Sequence, residues 1–125
     1  MEFNHDSVLP NNLDEAIEIL KVFYKNELDF IKQLSEKEFR SSSHFGAGMF
    51  IRNQWHLWWI EGRKYPSDWP TTKPKLIEFF NNKGIEHPDD MSSIILTSMY
   101  RSICGVDINL EDQIKFYIDF YNRNK

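Results

Sequence analysis

Apolar positions recur at helical spacing along most of this chain. Leu13, Ala16, Ile17, Leu20, Phe23 and Tyr24 share one face, with Asp14, Glu15, Glu18 and Lys21 opposite. Asn12, with Glu15 three positions on, reads as a capping box that opens this first helix, and Asn26 ends or bends it. A short second helix is predicted around Leu28–Leu34, followed by a further capping box in Ser35 and Glu38. Serines 41–43 read as a hinge, any of them able to cap the next helix. Pro74 suits the first turn of a helix that passes through Leu76, Ile77, Phe79 and Phe80 and stops at Gly84. Pro88, Asp89 and Asp90 start another, which runs to Cys104 and ends at Gly105. Asn109 caps the last. Its inner face is Leu110, Ile114, Phe116, Tyr117, Ile118, Phe120 and Tyr121, with Glu111 and Lys115 as an outward pair.

The stretch from Phe45 to Trp59 breaks this amphipathic habit. It is apolar nearly all round, yet it carries Arg52, Asn53 and His56. A helix of that pattern belongs inside the fold, since no face of it suits water. No alternating strand pattern competes with the helical ones. The predicted architecture is therefore all-α: a compact single-domain bundle of five or six helices around a central buried helix at about 44–60. Residues 1–11 read as a lead-in segment and 12–125 as the helical domain. Residues 61–73, with Gly62, Pro66 and Pro70, form its long loop, and Tyr65 and Trp69 pin that loop to the core.

Composition narrows the function classes. A chain of 125 residues with ten Phe, five Tyr and four Trp can build its own core without metal or disulfide staples. A formal charge of −4 disfavours a phosphate-backbone binder, so no nucleic-acid partner is expected. Cys104 is the only cysteine, which excludes an intramolecular disulfide and fits a reducing compartment; it reads as a small buried hydrophobe. The opening Met1-Glu2-Phe3-Asn4-His5-Asp6 lacks the regions of a signal peptide, and no apolar run reaches about 18 residues. The expectation is a cytoplasmic protein with no membrane partner.

Two readings of the central polar residues stay open. At about 100° per residue, Arg52 and His56 lie within roughly 40° of each other, with Asn53 beside them. In one reading Arg52 clamps an anionic group, Asn53 reads a polar edge and Gly46 and Gly48 allow close backbone approach. In the other, Arg52 forms a buried ion pair with Asp89 or Asp90, and the glycines let two helices pack tightly; a buried arginine requires a carboxylate. Arg101 closes a polar stripe of Asp90, Ser93 and Thr97 that either meets a ligand or packs against a helix. His87, Asp89 and Asp90 include metal-ligand types, but neighbouring acids in a first helical turn diverge by about 100°, so no metal is assigned. No nucleophile elbow and no nucleotide-binding glycine loop are present, and no cofactor is implied.

The motif Phe45-Gly46-x-Gly48-Met49-x-Ile51-Arg52-Asn53-x-Trp55-x-Leu57-Trp58, followed by Gly84-Ile85-x-His87-Pro88-Asp89-Asp90-Met91-Ser92-x-Ile94-Ile95-Leu96, resembles a bacterial family of small domains of unknown function. The resemblance spans roughly residues 9–121 and implies no catalytic residues. His56 stands where that family has glycine, and Trp59 adds bulk. Two functions follow as expectations. The first is a non-catalytic protein-binding module, of an immunity, phage or regulator type, with Tyr65 and Trp69 as candidate contacts. The second is a small anionic-ligand or enzymatic site where Arg52, Asn53 and His56 meet Asp89, Asp90 and Arg101.

Overall fold

Asn12 opens the first helix as its side chain suggests, accepting the Glu15 backbone N–H at 2.9 Å. The reciprocal bond falls one residue early: Glu15 accepts from the N–H of Asn11 rather than of Asn12. The computed structural model describes residues 9–123, Phe45 by its backbone alone, so the predicted lead-in segment lies outside the described residues over positions 1–8. Helices α1 (Leu13–Phe23), α2 (Leu28–Gln33), α3 (Glu36–Ser43), α4 (Met49–Gln54), α5 (Lys75–Asn81), α6 (Pro88–Ile103) and α7 (Leu110–Arg123) follow one another, with a π-helical turn at His44–Gly48. No strand occurs among the described residues, and the all-α single-domain expectation holds, with seven helices in place of five or six.

Local chemistry sets most of the boundaries. Ser35 and Glu38 form the predicted capping box at the start of α3, with bonds of 3.1 and 2.8 Å. Pro88 is the first residue of α6, and His87 Nδ1 accepts the Asp89 N–H at 3.0 Å as an imidazole N-cap. Gly84 and Gly105 end their helices at φ +88° and +73°, where the N–H of Ile85 reaches back to Phe80 and that of Val106 to Arg101. These are the six-to-one bonds of a left-handed helix stop.

The core is one cluster, and α6 is its axis. Helices α1, α2, α3, α4 and α7 and the π turn all touch α6. Ile94, Ile95, Leu96, Thr97, Ser98, Met99 and Tyr100 are buried in succession, so α6 has no solvent face through its middle. Three of its serines receive long side chains from different elements. Ser92 accepts from Arg52 on α4 at 2.8 Å, Ser98 from Gln113 on α7 at 3.1 Å, and Ser102 from Lys21 on α1 at 3.0 Å.

Here the structure corrects the predicted centre. The segment 44–60 is not one buried helix around which the others wrap. Helical structure begins upstream, at Glu36, and runs through serines 41–43 without the predicted hinge; Ser42 and Ser43 donate back to the Phe39 carbonyl instead of capping. It stops at Gln54. Beyond it, Trp55, Leu57 and Trp59 are buried while Trp58 and Ile60 are exposed, an alternation that belongs to a turn and extended chain rather than a helix. Two smaller corrections concern the C-terminal end. No residue of α7 is fully buried, so its predicted inner face is real only at Leu110, Ile114 and Tyr117. Lys115 pairs with Asp119 at 2.6 Å rather than with Glu111. Cys104 is half-buried at the end of α6.

Candidate functional site

Arg52 is 6% exposed, and its seat is assembled by three elements. Nε faces Asp89 Oδ1 at 3.4 Å, Nη1 donates to Ser92 Oγ at 2.8 Å, and Nη2 donates to the His44 carbonyl at 3.4 Å. Ser92 donates in turn to the Asp89 carbonyl at 3.0 Å, tying acid and hydroxyl into one turn of α6. The spacing explains the fit, because Asp89 and Ser92 are three residues apart and share a helix face. On the other side, Gly48 makes the room. A Cβ there would stand 2.9 Å from Arg52 Nη1. The buried ion pair among the open readings is thus the observed one, made with Asp89. The Asp89 side chain keeps 46% of its surface exposed, so the pair sits at the edge of the core.

Asp90 takes a different partner. Its carboxylate accepts the Tyr121 hydroxyl at 2.8 Å, joining α6 to the end of α7. Partial burial raises the Asp90 pKa above the ordinary carboxylate value, outweighing the Tyr121 hydrogen bond and the nearby His87. The same bond raises the Tyr121 pKa, since a phenolate there would face a carboxylate. A cleft of about 510 Å³ opens beside this pair, between the turn preceding α6 and α7, with Glu86, His87, Ile118 and Tyr121 among its walls.

Arg101 is not part of this group. It lies twelve residues past Asp89, about 18 Å along α6 by helical rise. There it makes a bidentate pair with Glu36, Nε to Oε1 at 2.7 Å and Nη2 to Oε2 at 3.0 Å, and Nη1 donates to the Ile108 carbonyl at 2.6 Å. The guanidinium holds Glu36 below the usual carboxylate range. A smaller groove of about 190 Å³ runs past it, lined by Arg40, Thr97, Asp112, Gln113 and Phe116 among others.

His56 and Asn53 also part from Arg52. Asn53 is exposed. His56 sits at φ +55°, just after α4, while the Leu57 N–H bonds back to the Arg52 carbonyl at 2.9 Å. This is again the left-handed stop that favours glycine. Its ring lies 4.3 Å from that of Trp69. Trp69 stacks on Tyr65 at 4.7 Å and 3°, Trp59 Nε1 donates to the Pro70 carbonyl at 3.1 Å, and the Tyr65 hydroxyl accepts the Ile60 N–H at 2.8 Å. Tyr65 and Trp69 are half-buried within this stack, so they fasten the 61–73 loop as predicted.

The structure therefore joins Arg52 to Asp89, and sends Asp90, His56 and Arg101 to three other places. The residues that sequence reasoning passed over are the partners: Ser92, Glu36, Tyr121 and the capping nitrogen of His87. Of these, Ser92 carried a readable signal in its i,i+3 spacing from Asp89; Glu36 and Tyr121 are paired only by tertiary folding. Among the described residues no three His, Cys, Asp or Glu side chains gather in a way that could hold a metal ion. No helix of those residues is long and apolar enough to cross a membrane. No curated protein and no solved structure matches the chain. Residues 9–103, ending with α6, match the model of the family described as Domain of unknown function (DUF6794), and the chain belongs to that family.

Proposed function

We propose that this chain is a non-catalytic protein-binding module of the cytoplasm, and that α7 is its contact surface. The observation that carries the reading is the aromatic side of α7, where Phe116 is 55% and Phe120 is 47% exposed. Large apolar side chains grouped on one exposed helix mark surfaces that another protein covers. The alternative contacts, Tyr65 and Trp69, spend much of their ring surface on each other and on their neighbours. Catalysis has little to work with at Arg52, whose three nitrogens already face a carboxylate, a hydroxyl and a carbonyl.

The test is a double substitution, Phe116→Ser with Phe120→Ser, in the full chain. The helical circular-dichroism spectrum should persist, since neither ring belongs to the buried core. A pull-down should lose the protein partner that the wild type retains, whether that partner is another chain or an untagged copy of this one. Retention of the same partner by the double variant, or no partner for the wild type, overturns the reading.

One observation favours a second reading. The cleft beside His87 and Tyr121, at about 510 Å³, falls in the size range of small-molecule sites. His87 Nδ1 accepts a backbone N–H, which leaves Nε2 as a donor in the neutral ring. A thermal-shift screen of carboxylated and phosphorylated metabolites checks this. Stabilisation that disappears in His87→Phe would establish it, and none across the screen would dismiss it.

A further inference from the structure

We propose that the partner at α7 is a second copy of this chain, seated antiparallel so that two α7 helices pair about a two-fold axis. The inference rests on the preceding reading of α7 as a contact surface. Asp112, Phe116, Phe120 and Arg123 follow at intervals of four, four and three, and therefore line one side of the helix. All four are exposed. The stripe is apolar in the middle, acidic at its start and basic at its end. Such a pattern complements itself only when reversed: Phe116 then meets Phe120 of the second copy, and Asp112 meets Arg123 of the second copy, twice over. A parallel arrangement would set acid against acid and base against base. Each half of an isologous contact is the same patch, and this patch satisfies that condition.

Two further features agree. Antiparallel helices place the positive end of one macrodipole beside the negative end of the other. The inward side of α7 is occupied in other ways: Leu110, Ile114 and Tyr117 pack on the core, Gln113 bonds to Ser98, and Tyr121 reaches Asp90, which leaves the stripe from Asp112 to Arg123 at the open surface. A contact centred on a helix of 14 residues, about 21 Å long, is smaller than the roughly 800 Å² per partner of stable complexes. Monomer and dimer should therefore exchange, and the association should weaken with added salt.

Sedimentation equilibrium of the full chain over a wide concentration series tests the proposal. The wild type should show concentration-dependent dimerisation. Asp112→Arg and Arg123→Asp should each weaken it by roughly tenfold or more, because each sets like charges together at both ends. The double variant carrying both reversals should recover the wild-type association. That recovery reads only the contact between copies, since the double variant keeps any repulsion between position 112 and Arg101 within one chain. Melting curves of all three variants establish that they are folded. A chain that stays monomeric throughout, or a double reversal that fails to recover, overturns self-pairing. Should the monomeric chain still bind a different protein through Phe116 and Phe120, self-pairing falls and the binding-module reading stands; if that binding is absent too, both fall.

Discussion

The two glycines before α4 look equivalent in sequence and are opposites in place. Gly48 backs onto the Arg52 guanidinium, whereas an added Cβ at Gly46 would meet nothing within 4 Å. Neither has a positive φ, so alanine is conformationally acceptable at both, and by helix propensity it should stabilise each by about 0.5–1 kcal/mol. Gly46→Ala is expected to realise that gain. Gly48→Ala is expected to lose stability by about 1–2 kcal/mol net. The guanidinium that would have to give way is buried and held by Ser92 and Asp89, and disturbing those bonds costs about 1–3 kcal/mol. Chemical denaturation of the two single variants checks the opposite signs. Equal gains at both would mean that Arg52 moves freely and is not the fixed point described above.

At the level of elements, the end of α4 shows what the sequence disclosed and what it hid. The Asn12 cap, the Ser35–Glu38 capping box, the Pro88 start and the glycine stops were legible because each is local chemistry written within four or five residues. The run from Phe45 to Trp59 misled, since its all-round apolarity matches a buried helix and a buried turn equally well. The deciding residue is His56, at φ +55°. A left-handed residue there ends the helix and turns Leu57 and Trp59 inward. The partners of Asp90 and Arg101 were illegible for a different reason, because nothing local records which distant helix arrives beside them. Exposure of Phe116, Ile118 and Phe120 was missed likewise: an apolar period assigns a face but does not supply the surface that covers it. The backbone at His56 yields its own prediction. His56→Gly should be more stable than His56→Ala by about 1 kcal/mol, since both lack the imidazole and only alanine suffers in the left-handed region. A smaller difference would show the turn relaxing to another conformation.

For the molecule as a whole, two carboxylates give opposite responses to acid. Glu36 has a depressed pKa in the fold, its pair with Arg101 being the first cause. Its contribution is present above its unfolded pKa, near about 4.3, and is lost as pH falls through the lower folded value. Asp90 has a raised pKa, so its favourable contribution is present below about 3.9 and is lost as pH rises through the higher folded value. Glu36→Gln should therefore destabilise at pH 7 by up to about 1 kcal/mol, as for a partly exposed pair, and become neutral in strong acid. Asp90→Asn, whose amide oxygen can still accept from Tyr121, should raise the melting temperature at pH 7 and have no effect near pH 3. Thermal melts of both variants between pH 3 and 7 check the two signs, and a destabilised Asp90→Asn at neutral pH would contradict the assignment for Asp90. The π turn at His44–Gly48 has a molecular consequence as well. It sets the azimuth at which α4 leaves α3: an i→i+5 turn takes up one residue more than an α turn, so removing one residue lets the segment close as continuous α-helix with later side chains near their present azimuth, whereas removing two swings them by about 100°. After the larger deletion Arg52 would point away from Ser92 and Asp89, so this segment tolerates only those changes of length that keep its azimuth at position 52.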